Sequence, residues 1–225
     1  MRKLITILAS ILFGITAASA QMTVGGGWQA TQLIRTNVAD DGYRTYSYAW
    51  ANGFYAGVTS SGSLGVPGLG YDYSIFYTYA TGTETDMLQI MDDPHHAVAS
   101  KGEVITDEHY IIVPGTVSGL LELTPWLSLG AYAGAEVSYC LSSKSYSTWP
   151  GIDGINHWNV DHFGPETNYN GYRRFDLGIL GGVNLVFAER IKLEGGVSYG
   201  LLDRSAGDGL LHRCTIHAGI AYLFK

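Results

Sequence analysis

The chain reads as all-β, an eight-stranded antiparallel up-and-down transmembrane β-barrel. Three observations predict this: side chains alternate apolar and polar over long stretches, the connections between those stretches alternate short and long, and charge is scarce. Only 15% of the 225 residues are charged, against about 25% in an ordinary soluble domain. Gly (30) and Tyr (16) are abundant.

The alternation is clearest towards the C-terminus. From Arg174 to Phe187 every odd residue is apolar or Gly: Phe175, Leu177, Ile179, Gly181, Val183, Leu185 and Phe187. Ile191, Leu193, Gly195, Val197, Tyr199 and Leu201 repeat the rule, with Lys192, Glu194 and Ser198 opposite. Ile216, Ala218, Ile220, Tyr222 and Phe224 oppose Arg213, Thr215, His217 and Gly219. A period of two over such lengths is a strand signal that a helical period does not produce. Trp126–Leu141, Tyr110–Leu121 and Tyr71–Tyr79 follow with less contrast, and Trp50–Val58 and Thr23–Leu33 complete eight strands. Pro67 and Pro114 predict a bulge or strand edge where they fall, because proline gives no donor to a ladder.

Connections near 59–64, 122–125 and 188–190 are short. Those near 34–47, 82–108, 142–172 and 203–211 read as long loops. Membrane barrels have this asymmetry, short turns on the periplasmic side and long segments outside.

Alternation does not say which face is enclosed. The polar face is rich in Gly, Ser and Thr and poor in Lys and Glu, which suits a crowded lumen rather than a water-facing surface. Aromatic residues on the apolar face fall at two heights, Phe187, Tyr222 and Phe224 at one end and Tyr77, Tyr79, Tyr139, Phe175 and Tyr199 at the other. That spacing matches two membrane interfaces. A soluble lipocalin-like barrel is the competing arrangement, and Gly26-Gly27-Trp28 fits its short Gly-x-Trp pattern. The apolar face is therefore expected to meet lipid. By parity Glu136, Arg174, Asp176, Lys192, Glu194 and Arg213 point inward as a structural charge network, with Glu136 and Arg174 at similar height on neighbouring strands. Balanced charge in a lumen only wide enough for side chains predicts a plugged barrel. Cys140 and Cys214 fall on opposite faces of non-adjacent strands and are not expected to pair.

Residues 1–20 read as a signal peptide: Arg2 and Lys3, an apolar Leu4–Ile15, then Ala18-Ser19-Ala20 as a small-x-small cleavage site before Gln21. Residues 21–225 form one barrel domain. The chain carries 13 basic and 20 acidic groups; without Arg2 and Lys3 the balance is 11 to 20, which argues against nucleic acid as a partner.

Tyr110-Ile111-Ile112-Val113-Pro114, Leu127–Gly134, Phe175–Gly182, Ser198–Leu201 and a last strand closing at Phe224 resemble the porin-family outer-membrane β-barrel proteins of Bacteroidota. The resemblance is strong over about half the chain, Tyr110 to Phe224. It implies an eight-stranded barrel in the cell outer membrane and supplies no catalytic residue. Lys225 after the terminal aromatic and the long 82–108 segment depart from the pattern.

No catalytic arrangement is read from the residues, and no metal or cofactor is expected. His95-His96 with Asp92-Asp93, and His157 with Asp161 and His162, are read as solvated loop residues, since neither gives a third ligand at fixed spacing. The segment 82–108 is acidic, carrying Glu84, Asp86, Asp92, Asp93, Glu103, Asp107 and Glu108 against Lys101. The segment 142–172 is aromatic, carrying Tyr146, Trp149, His157, Trp158, Phe163, Tyr169 and Tyr172. These are read either as a lid packed over the barrel mouth or as a surface that stacks on sugars or a protein partner, with Trp149 and Trp158 as the candidate surface contacts. The expected role is structural or surface-interacting, in a monomer surrounded by outer-membrane lipid and lipopolysaccharide and open to an unknown surface ligand. The competing role is a narrow porin for small solutes.

Overall fold

Ten strands form one antiparallel sheet in the computed structural model: β1 (Gln21–Ala39), β2 (Gly42–Ser47), β3 (Ala51–Ser63), β4 (Leu69–Asp93), β5 (His96–Thr124), β6 (Leu127–Gly151), β7 (Gly154–Asp161), β8 (Phe175–Phe187), β9 (Ile191–Gly200) and β10 (Leu210–Phe224). The structure describes residues 21–39, 42–93, 96–151, 154–164, 172–206 and 210–224, with side chains described outside 37–47, 84–102, 149–156 and 158. The expected targeting segment 1–20 lies outside the described residues.

Eight of the strands close a ring. The order runs β1-β3-β4-β5-β6-β8-β9-β10, and β10 returns to β1 from Met22↔Phe224 to Thr36↔Leu210. Closure leaves no open strand edge inside the bilayer, which is how a sheet satisfies its backbone groups there. Among the described residues β2 pairs only with β1, and β7 only with β6.

The apolar faces point outward. Leu177 is 38% exposed, Ile179 53%, Val197 55% and Ile220 56%. Inside, Thr23, Gln29, Thr31, Thr59, Ser74, Thr78, Glu136, Ser138, Asp176 and Arg213 are buried. So continuous an apolar exterior is untenable in water and is what hydrocarbon requires. The lipocalin arrangement, with Leu177 and Val197 filling the interior, is excluded by these exposures. Register groups the aromatics at two heights. Tyr139 pairs with Phe175, and Tyr222 pairs with Ile191, itself opposite Phe187. Phe54 packs against Tyr77 and Tyr79 at the outer rim, and Tyr222 against Phe224 at the other.

Three short connections stand at one end. Ala188 and Glu189 both have positive φ (46° and 56°), and Arg190 N donates to Phe187 O at 2.9 Å, a tight turn inside the three-residue connection between Phe187 and Ile191. Pro67 lies in the turn between β3 and β4, which also holds Gly65 and Gly68 at positive φ. Pro114 leaves a gap in the β4–β5 ladder with no register shift. The bulge falls instead where Tyr110 pairs with Cys140 and His109 with Ser142.

At the other end the structure corrects the sequence reading. The segments expected as loops are largely strand. β4 and β5 stay paired to Asp93↔His96, and β6 turns back through β7 from Gly151↔Gly154 to Lys144↔Asp161. A four-stranded sheet, β4-β5-β6-β7, therefore continues beyond the barrel. Backbone pairing holds it, and its sequence, unlike that of the ring strands, shows no sustained apolar–polar alternation.

Candidate functional site

The lumen is built in two storeys of buried charge. In the lower one, β10 carries Arg213 inward at 2% exposure between β6 and β8. Its Nη2 donates to Glu136 Oε1 at 2.7 Å and to Ser138 Oγ at 3.2 Å, and its Nε lies 3.9 Å from Asp176 Oδ2. In the upper storey Arg204, on the β9–β10 connection, is fully buried. It donates through Nη2 to Glu108 Oε1 at 3.4 Å, and Ser143 Oγ donates to the same oxygen at 3.1 Å. Tyr110 lies between the storeys. The Arg204 and Arg213 guanidinium carbons stand 5.1 Å and 5.0 Å from its ring centroid, within cation–π range.

A cover lies over the upper storey. His162 stacks on Tyr172 at 4.1 Å, its Nε2 2.7 Å from Ser145 Oγ, and Tyr172 bridges to Ser205. Burial pushes the Tyr172 phenol above its ordinary range, so the ring stays neutral there. Phe163 packs against Tyr110, Ile112 and Cys140. The cover follows from local turns: Asp161 accepts from Phe163 N, and Asp203 Oδ1 accepts from Ser205 N and Leu211 N.

Glu136, Asp176 and Arg213 thus meet. Lys192 and Glu194 pair separately at 3.1 Å nearer the short-turn end, with Tyr55 Oη donating to Glu194 at 3.0 Å. Arg174 is elsewhere, contrary to expectation. It enters β8 at the rim, donates to the Cys140 and Leu141 carbonyls at 3.1 and 2.7 Å, and stacks on Phe163 at 3.9 Å. Register explains the difference, for Glu136 pairs with Gly178, four residues further along β8. His162, read as solvated, is instead buried. Trp149 and Trp158 lie in β6 and β7, and their side chains are outside those described. Among the described residues no group of three His, Cys, Asp or Glu could hold a metal ion. Cys140 is buried inside, and both cysteines are free.

The sequence places Glu108 in an acidic surface segment and Tyr110 at the start of a strand, and gives neither of them, nor Arg204, a place in the lumen; the structure buries all three. Glu108 and Tyr110 share the inward parity of β5 and were legible in principle. Arg204 sits in an irregular connection, where parity says nothing.

Below the charged storeys the lumen is hollow. Tyr55, Phe76, Tyr132 and His217 line a cavity of about 80 Å³ with Asp72 and Glu194. Tyr132 Oη and His217 Nε2 share a hydrogen bond of 2.9 Å. A Cβ at Gly182 or Gly196 would strike the Tyr132 ring, and one at Gly219 the Tyr55 hydroxyl, so these glycines make room for the two tyrosines. The cavity adjoins a vestibule of about 370 Å³ at the short-turn end, and Asp72 and Lys192 border both.

No known family model matches the chain, and no curated protein matches it in sequence. Solved barrels are similar in architecture. The attachment invasion locus protein Ail of Yersinia pestis shares 13% identity, covering 91% of this chain and 99% of that one, with a TM-score of 0.45. Neisserial surface protein A shares 12% over 90% and 97%, TM-score 0.41. The outer membrane protease OmpT of Escherichia coli shares 11% over 92% and 98%, TM-score 0.46.

The closed ring, lipid-facing exterior and paired aromatic belts define the class on the chain's own geometry. This is an outer-membrane β-barrel protein.

Proposed function

We propose that the protein is a surface-interaction barrel of the Bacteroidota porin-family type, exported by a signal peptide at residues 1–20, whose largely plugged lumen serves as a rigid base. One observation carries this reading: Arg213 and Arg204, both buried and ion-paired, close the lumen while a four-stranded sheet continues outward above them. A lumen crossed by matched charges admits no solute without breaking ion pairs that are expensive to leave half-made. The projecting sheet has the opposite character. Among the described residues its β7 edge pairs with no strand beyond β6, and a free edge is a docking surface for an extended segment of another molecule.

Planar-bilayer recording on purified protein tests the first half. The expected result is no large, steady conductance; such a conductance would support the narrow-porin alternative. A surface-binding screen on cells displaying the full chain, or one lacking the β6–β7 hairpin, tests the second half. Binding that depends on the hairpin is expected.

A further inference from the structure

The hollow lower lumen has a chemistry that the plug does not use. Its charged lining residues are Asp72, Glu136, Lys192 and Glu194. Glu136 is neutralised from above by Arg213. Both Glu194 oxygens are engaged, Oε1 by the Tyr55 hydroxyl and Oε2 by Lys192. Asp72 has no ion-pair partner among the described residues, so the cavity is one positive charge short.

The rest of the lining is aromatic. Tyr55 meets Phe76 at 5.4 Å and 89°, and His217 at 5.7 Å and 79°. Tyr132 stands on the far side, held through its hydroxyl by His217. The buried Thr78 hydroxyl also lines the space and lacks a hydrogen-bond partner. Aromatic rings beside a lone carboxylate suit an organic cation rather than a divalent metal ion, because ring faces attract positive charge but supply none of the oxygen ligands that such a metal needs.

We propose that this well, opening towards the periplasm, binds the ammonium end of a small alkylamine. The ammonium sits among Tyr55, Phe76, Tyr132 and Asp72, with the alkyl chain directed down into the vestibule. Size is consistent: a cavity of about 80 Å³ corresponds to the liquid volume of roughly two to three waters at about 30 Å³ each, which is about what an ammonium group with its first carbons displaces. Lys192, on the border between cavity and vestibule, is the internal competitor, since its own ammonium occupies the second carboxylate.

The test uses the full-length barrel purified in detergent, its fold checked by heat-dependent gel mobility. It is titrated calorimetrically with propylamine and with 1,4-diaminobutane, each as the hydrochloride, against potassium chloride at equal ionic strength. Saturable one-to-one amine binding is expected, and potassium should not displace it. Asp72→Asn should weaken binding about tenfold or more, the loss of one charge-assisted contact. Lys192→Met should tighten it by freeing the Glu194 carboxylate, a change of sign that general damage to the fold would not produce. The proposal is overturned by an absence of saturation in the folded wild type, by equal displacement with potassium, or by an Asp72→Asn barrel that binds as before.

Discussion

Arg213 shows at the scale of a single side chain what holds this lumen shut. Its charge is buried, and the Glu136 contact of 2.7 Å is what makes that tolerable. Glu136→Ala should therefore cost about 2–4 kcal/mol, somewhat less than a fully unpaired buried charge, because it leaves the guanidinium as its ion pair only the longer Asp176 contact of 3.9 Å. Urea unfolding followed by gel mobility would measure the loss. The double substitution Glu136→Leu/Arg213→Met should cost clearly less than the sum of the two single changes, since it removes both charges together. Ala188 offers the reverse case. It occupies left-handed backbone at φ 46°, so Ala188→Gly should stabilise the β8–β9 turn by up to about 1 kcal/mol, the Cβ penalty less the entropy that glycine adds to the unfolded chain. A lower unfolding midpoint for this variant would show that the turn carries no such strain.

Among the elements, β9 shows how one strand serves two solvents. Val197 faces outward at 55% exposure, while its neighbour Ser198 is buried in the lumen. Val197→Arg, near the middle of the strand, should destabilise the folded barrel in lipid by about 2–4 kcal/mol. Ser198→Thr, on the other face, should stay near wild type, and refolding titrations into vesicles would separate the two. The β4–β5 hairpin obeys a different rule. Beyond Glu84↔Val104 it pairs on past the ladder shared by the ring strands, and replacing 85–103 with a two-residue turn should leave the heat-dependent mobility shift and the folding yield unchanged. A variant that no longer folds would place the hairpin in the folding nucleus rather than in the display role proposed above.

Over the whole molecule the barrel divides into a closed upper half and a hollow lower half. Arg204 and the His162–Tyr172 cover belong to connections, yet they seal the lumen as firmly as the strands do. Arg204→Ala/Arg213→Ala should open the closed half, and bilayer recordings of this variant should show conductance steps that the parent lacks. Silence from a correctly folded double variant would mean that the Tyr110–Phe163–Tyr172 packing alone closes the path.

Parity along the chain was enough to place Leu177, Val197 and Ile220 outward and Glu136, Asp176 and Arg213 inward, because a strand two residues per repeat between oil and lumen writes its orientation into composition. The same signal vanished beyond the bilayer. β2, β7 and the outer parts of β4, β5 and β6 show no sustained apolar–polar alternation in sequence, so the pattern predicts loops there. Arg174 was given to the lumen by parity alone, and only register, which sets height along the barrel, moved it to the rim. The meeting of Arg204 with Glu108, 96 positions apart in the chain, depends on closure of the ring and on a connection folding back across it. Contacts of that kind carry no local period, and three-dimensional packing alone decides them.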